Sequence, residues 1–168
     1  MADGMIPVLI ALEAQLPALL EDLDAWQTLD ITYHPPHVER LWMQRPEGRV
    51  FLHRIEACEP GEALFHPHDW PSAMKILAGR YEHGVGAAID GEVQTLSVAR
   101  LSAGTYYEMT NPRTYHWVRP LEEVHTLMLA GPLYAERPRF PKPDARQGPL
   151  TPERKRALAE RFGALLSS

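Results

Sequence analysis

The fold is decided by one stretch near the middle of the chain, Glu59-Pro60-Gly61-Glu62-Ala63-Leu64-Phe65-His66-Pro67-His68. A proline-glycine turn leads into a short run that ends in two histidines at positions i and i+2. In an extended strand, side chains two residues apart point to the same face, so both imidazoles reach one small volume. Pro67 restricts the backbone between them toward extended conformations. The stretch therefore predicts a strand that presents two imidazole nitrogens to one side.

A third histidine, His116, lies in a later predicted strand over 114–118. Imidazole nitrogens bind metal ions at about 2.0 to 2.1 Å. If the two strands face each other across a barrel, three nitrogens close one face of a coordination sphere and leave positions for water, substrate or dioxygen. Spacing alone does not separate this arrangement from surface histidines or hydrogen-bonded core histidines. His66, His68 and His116 are nevertheless the candidate metal ligands.

Short runs of β-forming residues continue on both sides of this stretch. The predicted strands are 38–43, 49–57, 62–66, 72–82, 92–101, 104–109, 114–118 and 124–130. Turn-forming residues separate them, at 46–48, 84–91 and 111–112 among other places. Many short strands with such turns are typical of a β-sandwich or a barrel.

Helical and irregular segments flank the strands. Leucines recur at helical spacing in an N-terminal arm over 7–28, which predicts two short helices or one helix kinked at Pro17. Residues 132–150 are rich in proline and arginine and are expected to run extended over the barrel surface. Thr151-Pro152-Glu153 has the cap, the proline and the acid that favour a helix start, so a C-terminal helix is predicted over 151–166.

The composition excludes several classes of protein. A length of 168 residues, with 45% hydrophobic and 23% charged residues, favours one globular domain whose barrel spans 38–131. The net charge of -5 gives no electrostatic reason to bind nucleic acid or an anionic membrane. A single cysteine, Cys58, precludes an internal disulfide and suits a reducing compartment. We therefore expect a cytoplasmic protein with a small-molecule substrate, and its open barrel edges favour a homodimer.

The histidine stretch resembles the first conserved motif of the cupin superfamily, which runs from a glycine through a short spacer to His-x-His. Residues 76–82 are similar to the strand and glycine turn that usually close this motif. The segment from Gly104 to His116 resembles the second motif in a loosened form. The resemblance covers 38–131 and is to the RmlC-like cupins. It implies a mainly β double-stranded β-helix, or jelly roll, that is usually dimeric and often binds Fe, Mn, Ni or Zn.

One departure from the cupin pattern concerns the ligand set. Cupins usually have a glutamate ligand four or five residues after the second histidine, but these positions hold Ser72 and Ala73. Glu82 or His83 would replace it only if the strand turned inward at the right depth. The resemblance therefore implies a site of three histidines, with Fe(II) as the expected metal and Zn, Ni or Mn as alternatives.

Three-histidine cupins include the thiol dioxygenases, and several stretches are similar to cysteine dioxygenase. They are Met74 to Gly79, His116 to Val118, and Leu127 to Pro132. Arg40 stands where that family keeps an arginine for the substrate carboxylate, and a guanidinium matches a carboxylate bidentately. The alternative for Arg40 is a surface salt bridge to Glu39 or Glu47.

The resemblance to thiol dioxygenases weakens in the last strand. That family has a Ser-x-His-x-Tyr relay, where this chain has Thr126, Met128 and Ala130. His125 is adjacent, but strand alternation places it on the opposite face. The relay residues that ordinary cysteine oxidation would use are therefore missing.

Three functions follow from these features. The first is a mononuclear Fe(II) oxygenase that acts on a small, carboxylate-bearing substrate. The second is a non-catalytic cupin that binds or senses a metabolite, and the third is a metal-free barrel that acts as an isomerase or scaffold.

Other residues carry weaker predictions. The pair His34 and His37 is expected to form a structural turn around two prolines, and Cys58 is expected to be a small buried side chain. Five aromatic residues are candidates to line the barrel: Trp70, Tyr106, Tyr107, Tyr115 and Trp117.

Overall fold

The fold is described by a computed structural model that covers residues 4–135 and 148–167. Along the chain, the elements are α1 (Met5–Leu19), a 3₁₀ turn (Leu23–Ala25), β1 (Gln27–Ile31), β2 (Val38–Arg45), β3 (Gly48–Ile55), β4 (His66–Pro67), β5 (Ser72–Ala78), β6 (Arg80–Ile89), β7 (Glu92–Ser102), β8 (Tyr106–Met109), β9 (Thr114–Pro120), β10 (Val124–Ala130) and α2 (Pro152–Leu166).

The strands form two antiparallel sheets. The larger has six strands in the order β1-β2-β3-β10-β5-β8, and the smaller has four in the order β4-β9-β6-β7. Several neighbours, such as β3 and β10 or β6 and β9, are distant in sequence, as in a jelly roll. The predicted fold class, a mainly β cupin jelly roll with short helical segments at its N-terminal side and a C-terminal helix, is confirmed.

The outer face of the six-stranded sheet carries the main hydrophobic core. Leu41, Leu52 and Leu127 lie side by side on β2, β3 and β10 and are fully buried. Both helices cover them, through Leu9, Leu12, Leu16, Leu158 and Phe162. This arrangement leaves the opposite face of the same strands free to line the interior between the sheets.

The inner face differs in composition because side chains alternate along each strand. Phe51, Met74 and Met128 stand in register on β3, β5 and β10 and form a separate, smaller cluster. Tyr107 on β8 extends this cluster and contacts His83 on the small sheet, with ring centroids 4.7 Å apart. The two sheets therefore enclose a mixed aromatic, thioether and imidazole interior.

The N-terminal region is shorter in helix than predicted. One helix ends at Leu19, two residues after Pro17, which removes one i→i−4 hydrogen bond from the last turn. Residues 27–31, the first two of which fall within the predicted arm, form strand β1 and pair with β2. The C-terminal helix matches its prediction, and the Thr151 hydroxyl accepts a hydrogen bond from the Arg154 backbone N–H at 3.3 Å.

Three further strand predictions were wrong. The predicted strand 62–66 is mostly turn and irregular chain, and only His66 belongs to a strand, β4. The predicted strand 72–82 is two strands that divide at Gly79, which has a φ of +80°. The predicted break at 84–91 is instead the end of β6, and only the turn at Asp90-Gly91 interrupts the chain. Gly84 and Gly86 lie inside β6. Both positions require glycine because the rings of Trp117 and Phe65 pack against them. An added Cβ would lie 2.0 Å from the Trp117 ring and 2.7 Å from the Phe65 ring.

The remaining predictions concern assembly and the proline-rich segment. Strand β7 lies at the sheet edge, with Leu96 and Val98 exposed, and the homodimer stays a prediction that light scattering would test. Most of the segment 132–150 lies outside the described residues, although Gly148 forms a bridge with Asp30. None of the helices in the described part of the chain is long and apolar enough to cross a membrane.

Candidate metal centre

The three predicted histidines meet at one place on the small sheet. His66 on β4 lies directly opposite His116 on β9, with ring centroids 4.3 Å apart. His68 follows two residues later, and its Nε2 lies 3.0 Å from Nε2 of His116. One ligand atom from each ring lies within 4.8 Å of the other two. Two nitrogens bound at right angles to one ion would be about 3.0 Å apart, so the cluster has the dimensions of a metal site.

Each of the three imidazoles is held from behind through Nδ1. Nδ1 of His66 lies 3.2 Å from the Leu64 carbonyl oxygen, and Nδ1 of His68 lies 2.7 Å from the Ser72 hydroxyl. Nδ1 of His116 lies 2.9 Å from Nε2 of His83. Metal-binding histidines in proteins usually have such a partner on the non-coordinating nitrogen, since it selects the tautomer and fixes the ring. This leaves Nε2 of His68 and Nε2 of His116 facing each other in the shared space.

Ser72 explains what replaces the cupin glutamate. Its side chain is fully buried and contacts the back of His68, so this position orients a ligand and supplies none. Ala73, the other position considered, points to the outer face and belongs to the main core. The centre therefore has three protein ligands available.

His83 does turn inward, contrary to the expectation for its strand. It is buried, and it contacts the rear nitrogen of His116, outside the set of three converging ligand atoms. Glu82 points the other way and forms an ion pair with Arg119 at 2.8 Å. His83 is thus a support for His116, and neither residue is a fourth ligand in this arrangement.

The electrostatics of the centre favour neutral imidazoles. Burial, followed by the neighbouring histidines, holds the pKa of His116 well below its usual value. Burial likewise lowers the pKa of His83 to about 4. Neutral imidazole is the form that binds a metal ion, and neutral His83 can accept a hydrogen bond from His116. Both rings are therefore in the required state at neutral pH.

The centre opens to solvent on one side. His116 is buried and His68 is half-buried, whereas His66 is exposed. A ligand can therefore approach past His66 while His116 remains shielded.

Arg40 lies in the interior, where it makes no salt bridge to Glu39 or Glu47. Those carboxylates pair with Arg54, Arg154 and Arg45. Arg40 instead donates from Nε to Nε2 of His53 at 2.9 Å, and burial lowers its pKa to about 10. It remains charged at neutral pH. Only Nε has a hydrogen-bond partner in the part of the chain described, so both Nη groups are available.

His53 is the functional candidate that sequence reasoning missed. Its Nδ1 lies 3.2 Å from the Thr126 hydroxyl, so Arg40, His53 and Thr126 form a continuous chain across three strands. Burial, followed by the charge of Arg40, holds the pKa of His53 well below its usual value. The signal that could have found it is alternation, since His53 shares a strand face with Phe51 and opposes Arg40 in a β-hairpin.

Two of the five aromatic candidates line the interior near the site. Trp70 stacks on His68 at 6.4 Å and on Phe51 at 6.5 Å. The Tyr107 hydroxyl lies 2.7 Å from that of Tyr81. Tyr106 points outward, where its hydroxyl donates to Glu13 of α1. Trp117 and Tyr115 alternate with His116 and so face away from it.

The other histidines do not join the centre. Nε2 of His37 lies 2.7 Å from a carboxylate oxygen of Asp30, and its Nδ1 lies 3.2 Å from one of Glu56. These acidic partners favour a structural role for the turn from His34 to His37. His125 is buried on the outer face against Phe162, as alternation predicted. Cys58 is half-buried and free.

Solved structures with a similar fold include an iron-containing enzyme. Fe(II)-HppE with its alternative substrate (S)-1-HPP has a TM-score of 0.52 and 13% identity over 64% of this chain and 57% of that chain. Hydroxypropylphosphonic acid epoxidase from S. wedmorenis has a TM-score of 0.51 and 12% identity over 64% and 56%. This likeness shows a cupin-like fold, and the present chain spans under two thirds of those proteins. No known family matches the sequence, and no curated protein is detectably similar to it. The finer resemblance to RmlC-like cupins and cysteine dioxygenase stays a hypothesis.

Proposed function

We propose that this protein is a mononuclear three-histidine Fe(II) oxygenase, similar in type to the thiol dioxygenases, that acts on a small substrate with an anionic group. The observation that carries the proposal is the convergence of His66, His68 and His116, each held through Nδ1. The ligand cluster found among the described residues contains no carboxylate. The iron in the structures of similar fold supports the choice of metal.

The chain's own residues divide the work around the ion. The three imidazoles would hold Fe(II), and the ion supplies one-electron chemistry toward dioxygen at the positions that the protein leaves open. Arg40 would bind the anionic group through its two free Nη groups, a pairing that is charge-assisted and bidentate. His53 keeps the guanidinium in place through the bond to Nε, and Thr126 keeps His53 in place.

The aromatic wall would exclude water from the bound substrate. Phe51 and Trp70 lie nearly parallel, with an interplanar angle of 12°, and Trp70 stacks in turn on His68. A charged contact is stronger beside an apolar surface than in bulk water, because fewer dipoles screen it. Substrate binding would therefore combine one oriented ion pair with apolar contact.

The test of this proposal is metal content followed by oxygen uptake. The full chain would be loaded with Fe(II) under anaerobic conditions, then given oxygen and a panel of small thiols and acids. We expect iron near one equivalent and substrate-dependent oxygen consumption. His125→Ala, which removes a buried histidine on the outer face, is a control that should keep the iron content and oxygen consumption of the parent. Failure of every substrate to increase uptake in the iron-loaded protein would contradict an oxygenase.

The second candidate is a non-catalytic cupin that binds or senses a metabolite around a metal ion. The observation that favours it is the pair Met128 and Ala130, which occupy positions where thiol dioxygenases have relay residues. A thermal-shift screen of metabolites, with and without chelator, would then give stabilised complexes in which no ligand is consumed. Turnover of any stabilising ligand would instead support the oxygenase.

A further inference from the structure

Two arginines flank a single phenyl ring on the inner face of the large sheet. The guanidinium carbon of Arg40 lies 5.0 Å from the centroid of Phe51, and that of Arg49 lies 5.6 Å from it. Arg49 also lies over the Trp70 ring, at 3.9 Å from its centroid. Both arginines are half-buried. One small molecule is therefore able to reach both cations.

Among the described residues, these two are the only half-buried arginines that have no carboxylate partner. Across residues 4–135 and 148–167, ion pairs to Asp or Glu are made by Arg45, Arg54, Arg80, Arg100, Arg119, Arg154 and Arg161. Arg113 and Arg156 also make none in these ranges, but both are exposed to water. Water screens an exposed cation, whereas a half-buried cation without an anion is costly. Within the described part of the chain, Arg40 and Arg49 thus form a positive pair without a neutralising carboxylate.

The register of the strands places the two charges at opposite ends of one surface. Arg49, Phe51 and His53 follow one another on the same face of β3, and Arg40 lies opposite His53. The rings of His53 and Phe51 stack at 5.8 Å, and Phe51 stacks in turn on Trp70. One guanidinium therefore marks the His53 end of this row and the other marks the Trp70 end.

The metal centre adds to the same field. Trp70 connects the row to His68, one of the candidate ligands, with ring centroids 6.4 Å apart. A divalent ion held there would add positive charge on the same side of the interior. A ligand with a single negative charge would leave one arginine unneutralised, whereas a ligand with a charge at each end would neutralise both.

We infer that the ligand of this interior is a small aliphatic dianion with an anionic group at each end, one bound by Arg40 and the other by Arg49. The inference rests on the proposed function for the site at Arg40 and adds Arg49 as a second anchor. Arg49 would therefore determine specificity for the far end of the substrate. The chemical class is that of an α,ω-dicarboxylic acid.

The test compares acids of equal length on the zinc-loaded full chain, in which no redox chemistry interferes. Succinate, glutarate and adipate would be titrated calorimetrically beside butyrate, valerate and hexanoate. We expect at least one dicarboxylate to bind roughly tenfold or more tightly than its monoacid, as befits one added charge-assisted contact. Arg49→Met should abolish this preference and leave zinc content unchanged. Arg49→Lys should restore part of it.

Two controls make the outcome decisive. Arg113→Met removes an exposed arginine that lacks a carboxylate partner among the described residues, and it should change no affinity. Arg40→Met should weaken monoacids and diacids alike. The inference is overturned if no dicarboxylate is preferred, or if Arg49→Met keeps the preference with a normal melting temperature. If dicarboxylates are preferred but the iron-loaded protein consumes no oxygen, the result counts against the oxygenase alone.

Discussion

The two faces of the six-stranded sheet are built from the same strands but do different work. On the outer face, Leu41, Leu52 and Leu127 are fully buried beneath two helices. On the inner face, the adjacent positions on β2, β3 and β10 are Arg40, His53 and Thr126 or Met128. Adjacent residues of one strand therefore belong either to the hydrophobic core or to the lining of the candidate site. A substitution on the outer face should therefore lower stability and spare metal binding, and one at the candidate site should do the reverse.

The largest expected effect is on the outer face. Phe162→Ala removes a fully buried ring from the contact between α2 and the sheet. We expect the free energy of unfolding to fall by about 3 to 5 kcal/mol, the usual result of such a truncation. Urea denaturation of the metal-free protein measures it. At temperatures where the variant stays folded, its zinc content should match the parent, and a loss of zinc there would show that the faces are not independent.

The second-largest effect is expected on metal affinity at the three-histidine cluster. His116→Ala removes the candidate ligand that contacts His66, His68 and His83. We expect metal affinity to fall by more than about 100-fold, because ligand loss exceeds the effect of losing a supporting residue. Elemental analysis and competition with a chromogenic chelator measure it. His125→Ala is the matched control, and equal metal loss in both variants would contradict the assignment.

A smaller effect is expected from the residue that supports a ligand. Ser72→Ala removes the hydroxyl that lies 2.7 Å from Nδ1 of His68 and leaves all three imidazoles in place. Metal affinity should fall about 10- to 100-fold, because the ring loses its fixed orientation. The same chelator competition measures this change. Ser97→Ala, on the exposed edge strand β7, is a serine control that should bind metal like the parent.

The smallest expected effect is a pH dependence of folding stability that comes from His37. Burial opposes the charge of His37, but its bonds to Asp30 and Glu56 outweigh burial and raise its pKa. The stabilisation is therefore complete below pH 6.5, its unfolded value, and disappears as the pH rises through the higher folded value. We expect at most about 1 kcal/mol, because the pair is partly exposed.

Unfolding of the parent and of His37→Gln between pH 5 and 9 would be compared to measure this dependence. The variant should lose the decline in stability that the parent shows on the alkaline side. An identical pH profile for both proteins would mean that His37 does not contribute.

The pairing of His66 with His68 in the histidine cluster was predictable from local sequence, because it depends on local rules. The i, i+2 spacing of His66 and His68 places both on one side wherever the chain is extended. His116 stood in a run of β-formers, and the structure brings it directly opposite His66. The helix start at Thr151 depends likewise on neighbours within one turn.

The rest of the site was not predictable, because it depends on register between strands. His53 stands among Val50, Phe51 and Leu52, where a lone histidine is typical of a core. Only the pairing of β2 with β3 places Arg40 beside it. Gly84 resembles a break in the sequence, because the Trp117 ring that requires glycine at this position belongs to another strand.

The two-residue strand β4 has a mechanical consequence. His66 and His68 belong to a segment between β3 and β5 whose only regular pairing is with β9, at His66 and Pro67. An ion shared with His116 would fasten this segment to β9 as a cross-link does, and would close a chain loop of some fifty residues between them. Metal loading should therefore protect the peptide bonds between β3 and β5 from protease and leave cleavage elsewhere unchanged. Limited proteolysis would then report occupancy of the centre without any assay of its chemistry.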